Sequence, residues 1–182
     1  MQKTSSALLL IDVISDFNFE GGSALLRHAT RASPVIARLI ARARRKAVPV
    51  IYCNDNFGLW RSDREELVRH ALNARAAVAK VVGPLRPRKD DYFLIKPRHS
   101  AFYETPLENL LEHLQVRHLV LAGFAGDGCI HTSATDAHVR KYEVTICADA
   151  TASQTSLRNT RALTHLRVVK YAKIAHQRSI TF

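Results

Sequence analysis

The sequence predicts an α/β fold in which a parallel sheet is covered by helices on both faces. Two observations carry this. Short, β-branched apolar runs alternate with longer segments of helical period along all 182 residues, the pattern of strand–helix–strand units whose strands run parallel. Three of the runs, LLLI, LVLA and VTIC, are continuously apolar, as central strands must be when both sheet faces are covered.

The elements follow in order. The first strand is predicted at residues 7–12 and ends in Asp12. A helix at 33–46 is opened by Ser33-Pro34, a capping hydroxyl followed by a first-turn proline whose missing N–H is harmless there. Val48-Pro49 stops that helix, because the residue before a proline avoids the helical region, and the second strand occupies 48–54. A helical stretch at 62–82 leads to the third strand at 92–96. Thr105-Pro106 with Glu108 repeats the cap ahead of a helix at 106–113. The fourth strand, 118–123, runs into a glycine-rich turn and a helix at 129–141. A fifth strand at 144–148, a helix at 157–166 and a sixth strand at 171–175 complete the chain. No repeat, low-complexity tract or linker interrupts this order, so residues 1–182 are expected to form one domain.

Composition narrows the functional classes. A hydrophobic share of 47% and a charged share of 24% are those of an ordinary globular protein. No apolar run approaches the roughly 18–20 residues of a membrane span. The opening MQKTSSALLLID ends its apolar run at an acid with no small-residue cleavage site, so it reads as a strand and not as a signal peptide. Cytoplasmic residence is the expectation. The excess of 27 basic over 16 acidic residues gives a net charge of +11, which attracts anions. No zinc finger, RNA-binding signature or basic zipper accompanies it, so no specific nucleic-acid partner is expected.

The chemistry should lie where the strands end, because open parallel sheets bind ligands beyond the carboxyl ends of their strands. The first strand ends in Asp12, the second in Asn54-Asp55-Asn56, the third in Lys96, and the fourth in GFAGDGC with Cys129. An acid, a base and a thiol thus converge on one rim from distant positions. Of the three cysteines, Cys53 and Cys147 sit inside apolar runs, where a thiol is a small hydrophobe. Cys129 differs: three glycines precede it within six residues, and a helical pattern follows. A helix N-terminus there would lower the thiol pKa and supply N–H groups for an oxyanion. There is no His-Glu-x-x-His, no Cys-x-x-Cys and no Asp-x-His pair after the second strand, so a catalytic metal is not expected. No Gly-x-Gly-x-x-Gly follows the first strand, so a dinucleotide cofactor is not expected either. Phe17, Asn18, Trp60, Phe102 and Phe124 follow the active strands and are candidates to line a small apolar pocket for a planar substrate, an anionic one suiting the positive charge.

Four stretches resemble the isochorismatase-like hydrolase superfamily, which includes nicotinamidases, carbamoyl-sarcosine and ureidoacrylate amidohydrolases, and isochorismatases. ALLLIDVISDF resembles its opening strand, KPRHSAF its lysine motif, LVLAGFAGDGCIHTSATDA its nucleophile motif, and KYEVTICADATAS the strand that follows. The resemblance implies a three-layer α/β/α Rossmann-like sandwich with a six-stranded parallel sheet in order 3-2-1-4-5-6. It also implies a catalytic trio of Asp12, Lys96 and Cys129, a non-proline cis peptide between Phe124 and Ala125, and a homodimer or homotetramer. Two departures stand out: Gly126 replaces the family's usual Thr or Ser, and the loop NDNFGLWRSD lacks the metal-binding motif of nicotinamidases.

The chemistry implied is hydrolysis of an amide or carbamoyl C–N bond through a Cys129 thioester, with backbone N–H groups of Ala125 and Cys129 holding the oxyanion. Vinyl-ether hydrolysis by acid catalysis from Asp12, and a non-catalytic binding protein with a basic surface, are the two alternatives.

Overall fold

A computed structural model of the chain describes residues 5–182. Six strands, β1 (Ser6–Ile11), β2 (Val50–Asn54), β3 (Tyr92–Ile95), β4 (His118–Phe124), β5 (Glu143–Ala152) and β6 (Lys173–Ala175), form one sheet in order β3-β2-β1-β4-β5-β6. Every neighbouring pair is parallel. This is the predicted order. It reverses direction between β1 and β4, so the carboxyl ends of those two strands frame a crevice.

β1 shows how the apolar runs make the layers. All six of its residues are buried, and successive side chains point to opposite faces. Leu8 and Leu10 enter one core with α1 (Gly22–Arg45), α2 (Arg64–Ala74) and α3 (Ala76–Val82). Ala7, Leu9 and Ile11 enter the other, with α4 (Leu107–His113), α5 (His131–Val139) and α6 (Ser156–Val168). Each leucine so buried contributes about 1.5–3 kcal/mol.

Two helices differ from the sequence reading. α1 begins eleven residues before Ser33, at Gly22, and carries Pro34 in its interior. Leu25, Leu26, Ala29, Ala32, Ile36, Leu39, Ile40 and Ala43 form one continuous buried face, and burying it outweighs the roughly 3 kcal/mol an interior proline costs. Ser33 is therefore not a cap; its hydroxyl donates to Val81 O at 2.7 Å and ties α1 to α3. The stretch at 62–82 is two helices, because Arg75 adopts an extended conformation (φ −156°, ψ 149°) between them. Asp63 opens the first with a capping box to Glu66.

One glycine positions the crevice. Gly123 has φ +125°, and a Cβ there would stand 2.1 Å from Ile11 O. Only glycine lets β4 approach the end of β1 so closely. Gly123→Ala is expected to lower stability by at least about 2 kcal/mol, read as a fall in the urea midpoint. An unchanged midpoint would contradict this close approach.

Candidate active site

Asp12 is the first residue beyond β1, and its φ of +51° turns the chain away from the sheet. Its backbone N–H donates to Cys53 O at 3.0 Å, and its Oδ1 accepts the N–H of Asp55 at 2.8 Å. The buried Asn54 amide braces the same loop, accepting from Ile14 N–H at 3.0 Å and donating to Ile14 O at 2.6 Å. The carboxylate is thus fixed by the strand beside it before any catalytic partner is considered.

Lys96 follows β3 and is fully buried. An ammonium has three donors, and all three are used: Asp12 Oδ2 at 2.9 Å, Arg98 O at 3.0 Å and Cys129 Sγ at 3.4 Å. Burial opposes its charge, but Asp12 together with the Cys129 thiol and Asp55 raises its pKa above the usual lysine value. It stays protonated through the neutral range. The loop after it is held against α5, where Ser133 Oγ accepts the N–H of Ala101 at 2.9 Å and the Ser100 hydroxyl donates to Asp136.

Cys129 lies in a π-type turn, Gly126–Ile130, that leads into α5. Gly128 within it is non-helical (φ −126°, ψ −105°), and the peptide Phe124–Ala125 is cis, as the family resemblance implies. The thiol does not behave as a helix N-terminus alone would dictate. It is pushed up, from 9.0 to about 12, chiefly by burial and then by the Asp12 carboxylate, with Lys96 opposing. α5 begins only at His131, so Cys129 precedes the first turn where the dipole is felt most strongly. At rest this residue is a thiol facing a carboxylate, so ionising it requires a base.

That shift has a consequence for stability. The folded thiol releases its proton near 12 and the unfolded one near 9.0, so between those values the unfolded state binds fewer protons. Stability then falls as pH rises. A Cys129→Ser variant is expected to show a shallower decline than wild type over that window in urea titrations. Parallel declines would mean that the thiol is not held protonated.

The glycine at 126 has a local cause. A Cβ there would stand 2.0 Å from Asn159 Oδ1 and 3.0 Å from Thr151 Cγ2. The α6 side chain occupies the room that a Thr or Ser would need. Asn159 Oδ1 accepts a hydrogen bond from the Ser153 hydroxyl at 3.1 Å, and Ser153 Oγ accepts Asp127 N–H at 3.1 Å. A serine–asparagine pair thus holds the turn that contains Gly126.

A cavity of about 670 Å³ opens over these groups, lined by Asp12, Ala125 and Cys129, a size suited to a small-molecule ligand. Of the five predicted pocket residues, Asn18 and Phe124 line it. Phe17 does not; it is core, 6.0 Å from the Phe124 ring. Phe102 packs against Tyr142 beneath Arg140, away from the cavity. Trp60 is 74% exposed, and Phe57 and Leu59 of the same loop line the wall instead. The sequence reading assigned no role to Asp16, His70, Asp127 and Arg158, all in this wall, and named Asp55 only as the end of the second strand. Asp55 was legible, since it follows β2 as Asp12 follows β1. His70 and Arg158 lie on helix surfaces, where nothing in the sequence distinguishes them. Among the described residues, no group of three or more His, Cys, Asp or Glu side chains is placed to hold a metal ion, and no helix is long and apolar enough to cross a membrane.

Comparison with known proteins follows the same lines. Residues 6–177 match the isochorismatase domain model. The chain is 40% identical over 180 residues to an uncharacterized isochorismatase family protein, YaaI, of Bacillus subtilis, covering 99% of this chain and 98% of that one. It is 30% identical to an Arabidopsis thaliana protein named as a probable inactive nicotinamidase, covering 83% and 82%. It is 28% identical to the ureidoacrylate amidohydrolase RutB of Methylorubrum extorquens, covering 81% and 69%. The crystal structure of an isochorismatase family protein from Desulfovibrio vulgaris matches with a TM-score of 0.78 at 25% identity, covering 96% and 95%.

Proposed function

Because this chain belongs to the isochorismatase family, we propose that it is a cysteine hydrolase that cleaves a C–N bond of a small amide or carbamoyl compound. The observation that carries this is the buried Lys96 ammonium, which touches the Asp12 carboxylate and the Cys129 sulfur in the cavity wall at once. A trio kept intact around a thiol suits nucleophilic chemistry, and a relative named as an amidohydrolase points to the bond attacked.

The steps follow from the positions of the groups. Asp12, paired with Lys96 at 2.9 Å, takes the proton of the Cys129 thiol as the sulfur attacks the substrate carbonyl. Lys96 holds the thiolate as it forms. Amide N–H groups of Ala125 and Cys129 receive the oxyanion, where a fixed donor is worth about 10²–10³ in rate. Asp12 then returns its proton to the departing nitrogen as the C–N bond breaks, which leaves a thioester on Cys129. Water deprotonated by Asp12 attacks that thioester, and the proton passes back to sulfur as the acid departs. Asp12 thus acts alternately as base and acid, and the thiol is restored at the end.

The test is ammonia release from a panel of primary amides, ureido acids and carbamoyl amino acids. Turnover of at least one class is expected. A panel that remains untouched while a vinyl ether is hydrolysed would replace this reading with acid catalysis by Asp12.

A further inference from the structure

The protein carries a net charge of +11, yet the walls of its cavity are acidic. Asp12, Asp16, Asp55 and Asp127 all line it, against two permanent cations, Arg158 in the wall and Lys96 behind it. Three of the four carboxylates have partners. Asp12 is paired with Lys96 at 2.9 Å, Asp127 with Arg158 at 2.5 Å, and Asp16 with the His70 imidazole at 3.0 Å. Asp55 differs: its Oδ1 accepts the N–H of Phe57 at 2.7 Å, and no ion pair to it is formed among the described residues. Lys96, whose charge Asp55 favours, is already committed to Asp12 and the sulfur.

The converse is equally specific. The single permanent cation in the wall, Arg158, is not free for a substrate carboxylate; the other basic side chains there are the imidazoles of His70, already paired with Asp16, and His99. The Arg158 guanidinium is held by Asp127 on one side and by Gln154 Oε1, at 2.5 Å, on the other. The apolar part of the wall is supplied by Phe57, Leu59, Phe19 and Phe124. Such a surface accepts a short hydrocarbon spacer between two polar ends.

We propose that the compound this cavity takes is an amide whose non-reacting end is cationic, an ammonium or guanidinium seated against Asp55, and that carboxylate-bearing amides are disfavoured. This selects a substrate class within the hydrolase reading above and rests on that reading for the word substrate. It reverses what the overall charge of the chain suggests, since the basic surface lies outside the cavity and the local field inside has the opposite sign. Local potential, focused by low-dielectric walls, governs which ligand enters.

Two measurements on the full chain test it. The first needs no substrate: the labelling rate of Cys129 by a trimethylammonium-ethyl methanethiosulfonate and by its sulfonate-ethyl counterpart, with Cys129→Ala as the control for labelling elsewhere. The cationic reagent is expected to be favoured about tenfold more than it is with a simple free thiol. That preference should shrink several-fold in Asp55→Asn and at high salt. A preference equal to that of the free thiol, or one for the sulfonate, overturns the proposal. The second is turnover of length-matched amides ending in an ammonium, a methyl or a carboxylate. The ammonium compound is expected to have the highest kcat/KM, with Asp55→Asn levelling the series. If the carboxylate or methyl compound is turned over best, the charge assignment fails while the hydrolase reading stands. If none is turned over yet the cationic reagent keeps its Asp55-dependent preference, the hydrolase reading fails and the cationic ligand class stands.

Discussion

Cys129→Ala is expected to reduce amide turnover by roughly 10⁴–10⁶-fold, the scale on which loss of a nucleophile abolishes an acyl-transfer enzyme. The reason is structural. Cys53 and Cys147 are fully buried, and burial pushes their thiols up, so neither replaces the missing sulfur. No other thiol lies in the cavity wall. Alanine also suits the site sterically, because the sulfur is half-buried and its removal leaves the Lys96–Asp12 pair in place. The fall should therefore appear in kcat with little change in the thermal midpoint. Retained activity would move the chemistry to Asp12 alone.

Asp12→Asn is expected to lower turnover by about 10³–10⁴-fold while making the thiol more acidic. The two effects diverge because the carboxylate has two roles. As a charge beside sulfur it raises the Cys129 pKa, and Lys96 opposes it. Removing the negative charge leaves the ammonium facing the thiol unopposed, so more thiolate is present at neutral pH. That thiolate attacks, but nothing returns a proton to the leaving nitrogen. A pH titration of thiolate absorbance checks the first effect, and steady-state kinetics the second. A variant that lost activity and showed an unchanged or higher thiol pKa would mean that Asp12 does not face the sulfur as described.

The sequence made the frame legible and the electrostatics much less so. LLLI, LVLA and VTIC are apolar without alternation because β1, β4 and β5 are covered on both faces, and that pattern survives translation into structure without ambiguity. Strand ends were legible for the same reason, which is how Asp12, Lys96 and Cys129 could be named as one group. Local signals failed where tertiary burial overrode them. Ser33-Pro34 has the form of a helix start, but a buried face running from Leu25 to Ala43 carries α1 straight through it. The break at Arg75 has no breaker residue at all. Phe17, Phe102 and Trp60 were drawn to the pocket by position in sequence, yet one loop residue more or less decides whether an aromatic ring enters a core, a cavity or solvent. Charge distribution was the least legible, since a sum of +11 conceals an acidic cavity assembled from three separate loops. The direction of the thiol shift belongs with it. Glycines and a following helix suggest an acidic cysteine, whereas burial and Asp12 decide otherwise.

The covalent intermediate is the most direct evidence available. Acid quench of the wild-type protein during turnover of a reactive amide, followed by intact mass and peptide mapping, is expected to show the substrate's acyl group on the Cys129 peptide. The adduct should be absent in Cys129→Ala and removed by neutral hydroxylamine, as a thioester is. Steady turnover with no adduct on Cys129, together with full activity in the alanine variant, would contradict nucleophilic catalysis by this thiol.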